Sequence, residues 1–190
     1  MVNIGGFLAT RNKKVFEEAR NMVVIYEGLH SYGGLAGRDM EAMARGLEEM
    51  VKFDNISMRV RQVEYCGAEL EKFGIPLVYP FGGHAIFLDA KRFLPHLKQD
   101  LFPAQTLAAE IYIDSGVRGM ERGLVSSGRD ASTGENRYPK LELVRLTFPR
   151  RVYTQSHIDV MVESIAEVYD KRKSMKGLKM VYEPKYLRFF

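Results

Sequence analysis

Tryptophan is absent from this chain of 190 residues, cysteine occurs once and histidine only four times. The single cysteine, Cys66, excludes an intrachain disulfide and any metal site built from clustered cysteines. It is expected to be a small buried side chain in a reducing compartment. Four scattered histidines do not make a ligand set. Long hydrophobic runs are also missing: no stretch approaches the ~20 apolar residues of a membrane span. The opening Met1-Val2-Asn3-Ile4-Gly5-Gly6 lacks the charged-then-apolar layout of a signal peptide. These absences predict a soluble cytoplasmic protein with no membrane association. There is no Walker loop, H-E-x-x-H helix, dinucleotide fingerprint or G-x-S-x-G elbow. What is present is a globular composition, 46% hydrophobic, and a chain of this length buries roughly 70% of its unfolded surface.

The formal charge of +4 is local. Between Gly116 and Arg151 eight cations (Arg118, Arg122, Arg129, Arg137, Lys140, Arg145, Arg150, Arg151) face four anions (Glu121, Asp130, Glu135, Glu142), which accounts for the whole excess. Such an arginine concentration suits a small anionic substrate or an acidic partner surface, and a solvated basic face is the plain alternative. There is no aromatic-interleaved RNA signature and no recognition helix, so nucleic acid is not the expected partner.

Periodicity and punctuation predict a short apolar strand over 3–10 and a helix over 13–27 with Phe16, Ala19, Met22 and Val23 on one face. A strand at the opening needs neighbours from outside the chain, so the expectation is a start in mid-fold. After glycine-rich 31–36 come a helix over 38–52 and a third capped by Asp54, with Ile56, Val60, Val63, Gly67 and Leu70 at helical spacing before Gly74 and Pro76 stop it. Strands are predicted at 77–79, 84–89, 117–124, 141–148 and 177–182, with a polar loop over 126–138. A helix from Pro103 to Gly116 turns Leu107, Ala108, Ile111 and Tyr112 inward, and Thr154 caps a last one burying Ile158, Met161, Ile165, Val168 and Tyr169. From residue 54 onward this order describes an α+β sheet layered with helices.

Eight segments carry a resemblance, in this order: Val2-Asn-Ile-Gly-Gly-Phe-Leu8, Tyr26-Glu-Gly28, Ser31-Tyr-Gly-Gly-Leu-Ala-Gly-Arg-Asp-Met-Glu-Ala-Met-Ala44, Gly82-Gly-His-Ala-Ile-Phe-Leu-Asp-Ala90, Phe102-Pro-Ala-Gln105, Val117-Arg-Gly-Met-Glu-Arg-Gly123, Val144-Arg-Leu-Thr-Phe-Pro-Arg-Arg-Val-Tyr-Thr154 and Tyr182-Glu-Pro-Lys-Tyr-Leu-Arg-Phe-Phe190. Together they resemble the tyrosine phenol-lyase and tryptophanase family of β-eliminating lyases. The resemblance implies an α/β protein, the C-terminal portion of a fold-type I pyridoxal-phosphate transferase-like enzyme. Residues 1–50 would finish the large cofactor-binding domain and 51–190 would form the small α+β domain. The cofactor would be pyridoxal 5'-phosphate, with potassium as an accessory ion. The family's Schiff-base lysine lies just before the opening segment and is not matched here, so no cofactor-binding residue is assigned and both ends look truncated.

Residue by residue, Arg145 matches the family arginine that binds the amino-acid α-carboxylate, a task suited to a guanidinium fork. Without that context, an arginine in an apolar strand is more often a structural ion pair. Arg122 matches an arginine beside the phenol hydroxyl and Met120 a methionine of the ring pocket, positions where tryptophanases carry branched apolar residues. A cation there would stabilise negative charge on the ring oxygen as the ring passes through its quinone-like tautomer, whereas a surface cation on an edge strand is the plain reading. Phe189 and Phe190 would wall the aromatic pocket, or serve as ordinary core. His84 matches a histidine near the substrate ring, Tyr32 an active-site tyrosine beside the glycine turn, and Asn3 a backbone ligand of the monovalent cation.

The implied reaction is β-elimination of phenol from L-tyrosine, leaving pyruvate and ammonia. Tryptophanase is the rival within the family. A non-catalytic fragment or subunit without the lysine is the rival outside it, and the implied assembly is a homotetramer or a pairing with an N-terminal partner chain.

Overall fold

The computed structural model describes residues 4–149, 152–184 and 188. The chain divides into two compact units, Met1–Ser57 and Met58–Phe190.

In the first unit α1 (Lys13–Tyr26) begins at Asn12, whose side chain accepts from the Val15 N–H at 3.2 Å and satisfies one of the free amides of the first turn. α2 (Gly37–Met50) follows a tight turn through Gly33 and Gly34, which have φ of 56° and 76°. A Cβ on Gly34 would stand 2.6 Å from the Glu27 carbonyl oxygen, so two backbones meet here that only glycine allows. Among the described residues of α1 and α2 only Gly46 is buried. The strand expected over 3–10 is not formed: 4–10 are irregular, and Phe7 and Leu8 are exposed. A strand exists only through a ladder with a neighbour, and none pairs with this segment among the described residues.

α3 (Phe53–Lys72) begins at Phe53, so Asp54 sits in its first turn rather than at its cap. In the second unit β1 (Ala85–Asp89) leads directly into α4 (Ala90–Phe93), with the Asp89 carboxylate accepting from the Arg92 N–H at 3.1 Å. α5 (Pro103–Ser115) starts on proline and ends on Gly116 at φ 73°, the left-handed cap the sequence predicts. β2 (Met120–Arg122), α6 (Leu124–Ser127) and β3 (Leu143–Thr147) follow, and α7 (Gln155–Lys171) closes the unit. The Thr154 N–H donates to His157 Nδ1 at 3.1 Å, forming part of a reciprocal cap at the start of α7.

The three strands form one antiparallel sheet in the order β1-β3-β2. One face, carrying Ile86, Leu88, Val144 and Leu146, packs under Leu107 and Ile111 of α5, Ile158, Val162 and Ile165 of α7, and Val63, Cys66 and Leu70 of α3. Burial pushes the Cys66 thiol up to about 12, so it behaves as an apolar group. Tyr112 departs from the expectation: it is exposed, because α5 turns Leu107, Ala108 and Ile111 inward. Tyr169 is only partly buried, its ring edge-on to Phe93 with centroids 4.8 Å apart.

The strands are shorter than predicted, and each has a local cause. Residues 77–79 reduce to a single bridge, Leu77 with Leu88, plus a bond from the Val78 N–H to the Phe87 carbonyl at 3.0 Å. β2 stops at Arg122 because the Glu121 carboxylate turns back to accept from the Val125 and Ser126 N–H groups, nucleating α6 where sequence alone suggests strand and loop. Residues 177–182 form no strand; they lie against the turn at Leu101, where the Leu178 N–H donates to the Leu101 carbonyl at 3.0 Å.

Candidate functional site

Strand alternation leaves the second face of the sheet for Ala85, Phe87 and Asp89 of β1, Met120 and Arg122 of β2, and Leu143, Arg145 and Thr147 of β3. The register makes Met120, Arg145 and Phe87 one transverse row, and Arg122, Leu143 and Asp89 the next. Arg145 and Arg122 are diagonal neighbours across β3 and β2, a relation that sets such residues about 7–8 Å apart with their Cβ atoms somewhat closer. Three residues that the resemblance assigns to one substrate thus share one small surface.

Arg145 Nη2 lies 3.0 Å from Met120 Sδ. Thioether sulfur is a weak acceptor, and Arg145 Nε is buried with no hydrogen-bond partner among the described residues. Neither Arg145 nor Arg122 is in an ion pair among the described residues. The one carboxylate on this face, Asp89, is engaged by Arg92, whose Nε donates to Oδ2 at 2.7 Å. Two arginines without an ion pair among the described residues give this face donors that would suit an anion.

The other expected residues lie elsewhere or outside view. His84 is exposed and precedes β1, at the opposite end of that strand from the Arg122 row; its carbonyl accepts from the Phe148 N–H at 2.9 Å. Tyr32 belongs to the first unit, where it lines a cavity of about 940 Å3 with Phe16, Val23, Leu35, Met40 and Met43. Asn3, Phe189 and Phe190 lie outside the described residues. Among the described residues no group of three or more histidine, cysteine, aspartate or glutamate side chains could hold a metal ion.

Two features escaped the sequence reading. Phe87 completes the Arg145 row; its place in Ala-Ile-Phe-Leu-Asp put it on the outer face, but only the register put it beside Arg145. The carboxylates of Glu121 and Glu142 both converge on Gly123 from the other side, and Glu142 is fully buried. An acid alternating with leucines in Leu141-Glu142-Leu143 was its only signal.

The profile of the Beta-eliminating lyase family matches residues 1–164. The chain belongs to the beta-eliminating lyase family. Among curated relatives it is 65% identical to a tyrosine phenol-lyase of Nostoc punctiforme, over all 190 of its residues and 41% of that protein. It is 60% identical to the tyrosine phenol-lyase of Symbiobacterium thermophilum and 57% identical to that of Clostridium tetani, again along its whole length, covering 42% and 41% of them. This beta-eliminating lyase chain therefore spans about two-fifths of the length of these relatives. Family membership implies pyridoxal phosphate as the cofactor. Among the described residues no helix is long and apolar enough to cross a membrane.

Proposed function

We propose that the chain supplies the carboxylate-facing and phenol-facing side of a tyrosine phenol-lyase, a fold-type I enzyme that cleaves L-tyrosine to phenol, pyruvate and ammonia. The observation that carries the reading is the sheet register, which sets Arg145, Met120 and Arg122 on one open face with Arg145 Nε buried and unpartnered. Relatives at 57–65% identity that bear the tyrosine phenol-lyase name support it.

Arg145 binds the α-carboxylate of the amino acid. Its Nε takes one oxygen, and Nη2 exchanges the thioether for the other, a charge-assisted pair contributing roughly 1.5–3 kcal/mol. Met120 and Phe87 flank that guanidinium and present apolar surface to the substrate. Arg122, one row on, holds its cation beside the phenol oxygen and stabilises the negative charge that builds there while the ring loses aromaticity. Pyridoxal phosphate, when bound, supplies the electron sink that lets the α-proton leave. The resemblance further assigns His84, Tyr32, Phe189 and Phe190 to the substrate and Asn3 to a monovalent cation, and in this reading the enzyme works as a homotetramer.

The test is release of phenol and pyruvate from L-tyrosine by the full-length lyase containing these residues, supplied with pyridoxal phosphate. Arg122→Ile is expected to reduce kcat by about 100-fold, the scale for loss of one electrostatic donor. Normal cleavage by that variant removes Arg122 from the site, and indole release from tryptophan in place of phenol release would assign a tryptophanase.

A further inference from the structure

Two acids grip the end of the β2–β3 ladder from its buried side. Arg122 and Leu143 are the last pair of that ladder. Glu121 stands just before the first of them and Glu142 just before the second. Strand alternation sends Arg122 to the open face and Glu121 to the packed one, and both acids are buried, Glu142 completely. The Glu121 carboxylate accepts from the Val125 N–H at 3.1 Å, the Ser126 N–H at 2.9 Å and the Ser126 hydroxyl at 2.6 Å, so it fixes the corner at which β2 gives way to α6. Glu142 ties in two further elements: its carbonyl accepts from the Ala90 N–H at 2.8 Å at the start of α4, and its Oε1 from Gln99 Nε2 at 2.7 Å.

The two side chains meet at Gly123. A Cβ there would run into Glu142 Oε2 and stand 2.8 Å from Glu121 Oε1, so the two oxygens face one another across a bare glycine. Of the four carboxyl oxygens only Glu142 Oε2 has no hydrogen-bond partner among the described residues. Two negative charges this close and this far from water oppose one another, and a buried acceptor without a donor is costly. One proton removes both penalties. Carried on Glu142 Oε2, it turns the unpartnered acceptor into a donor aimed at Glu121 Oε1, the arrangement by which neighbouring carboxyls share a proton. The charged groups facing Glu142 are Glu121 from β2 and Lys91 from α4, whose exposed Nζ donates to the Lys140 carbonyl at 3.0 Å. Asp100, next to Gln99, is engaged by the Tyr138 hydroxyl. Burial raises the Glu142 carboxyl above its ordinary value, more than Gln99, the Leu124 N–H and Lys91 lower it.

We propose that Glu142 is a positioning residue for Arg122: a proton on its Oε2 bridges to Glu121 across Gly123, clamps the Arg122–Leu143 pair from the buried side, and so holds the Arg122 guanidinium in place for the leaving ring. This rests on the tyrosine phenol-lyase reading. Because the folded value is raised, the bridge is present at low pH and is lost as pH rises through that value, when the proton leaves and two carboxylates press apart beneath the free end of the ladder. The effect falls on the phenol leaving group. An S-alkyl cysteine expels a thiolate and needs no cation beside a ring oxygen. The ratio of kcat/KM for L-tyrosine to kcat/KM for S-methyl-L-cysteine therefore isolates it from ionisations that both substrates share.

The experiment measures that ratio for full-length wild-type and Glu142→Gln enzymes, supplied with pyridoxal phosphate, from about pH 5 to pH 9, a range spanning ordinary and strongly raised carboxyl values. The wild-type ratio is expected to fall by about fivefold or more toward the alkaline end, part of the roughly 100-fold expected for losing the cation outright. Glu142→Gln, whose amide donates toward Glu121 at every pH, should hold the ratio within about twofold of the wild-type acid value throughout. A wild-type ratio that does not change with pH, or a variant that shows the same fall, overturns the proposal. The infrared spectrum of the wild type should also contain a protonated-carboxyl stretch that is lost with the same midpoint as the ratio, and its absence overturns the proposal too. Both wild-type readings stand if the variant fails to fold. A wild-type enzyme that eliminates from S-methylcysteine but never cleaves tyrosine sinks the lyase reading by itself, and the infrared band then still decides whether Glu142 carries the proton.

Discussion

Glu142 carries a cost that pH should reveal. Its side chain is fully buried, and Gln99 Nε2 donates to Oε1 at 2.7 Å while also serving the Pro139 carbonyl at 2.9 Å. Oε2 has no hydrogen-bond partner among the described residues. It faces Glu121 across Gly123, and the Glu121 oxygens are committed to Val125 and Ser126. Burial raises the Glu142 carboxyl above its ordinary value; the Gln99 side chain, the nearby Leu124 N–H and the Lys91 charge offset part of this, and the Glu121 charge adds to it. A folded-state value above the unfolded one means the folded protein keeps a proton the unfolded chain has released. Stability is then full below the ordinary carboxyl range and declines as pH rises through the raised folded value. Glu142→Gln keeps the volume and the Oε1 acceptor, does not titrate, and places an N–H where Oε2 stood, able to donate toward Glu121. A buried acceptor left unmatched costs about 1–3 kcal/mol. The variant should therefore gain about 1–3 kcal/mol over the wild type at pH 8, and the gain should shrink toward zero near pH 4. At about 2–4 °C per kcal/mol for a chain of this size, thermal unfolding at pH 4, 6 and 8 resolves it. A Tm difference that is the same at all three pH values, or a variant less stable at pH 8 than the wild type, refutes the reasoning.

Arg145→Ala in the full-length enzyme should raise KM for tyrosine by about 10- to 150-fold, the equivalent of a lost charge-assisted pair; steady-state kinetics with an unchanged KM would exclude it from the carboxylate site. Leu88→Ala removes a fully buried side chain from the packed face of the sheet and should cost about 2–5 kcal/mol, measured by urea unfolding. Thr154→Ala breaks the reciprocal cap with His157 and should cost roughly 1 kcal/mol in the same assay; no change would mean that the first turn of α7 is held by packing alone.

The helices were legible in the sequence because a helix is closed by bonds spanning four residues. Pro103 and Gly116 bound α5, Thr154 opens α7, and the apolar spacing of Val63, Gly67 and Leu70 sets the buried stripe of α3, all within reach of local pattern. Tyr112 and Asp54 misled because the neighbouring layer decides how far a helix face is covered and where a helix starts. The strands were overlong in prediction for a related reason: alternation marks where a strand is possible, while its length depends on a neighbour that supplies the ladder. Residues 4–10 had the pattern and lack the ladder. The ordered family segments pointed to Met120, Arg122 and Arg145 as residue types suited to an aromatic amino acid. Nothing local could show that they share a face, since Met120 and Arg145 are 25 positions apart and meet only through the pairing of β2 with β3. The same holds for the Glu121 and Glu142 carboxylates around Gly123, and for Arg188, which reaches back 64 positions to Leu124. The sequence by itself determined the long helices, the family and the chemical vocabulary of the site. Strand register, the buried carboxylate pair and the contacts of Arg188 were decided by tertiary structure, because each joins groups far apart in the chain that only the fold brings together.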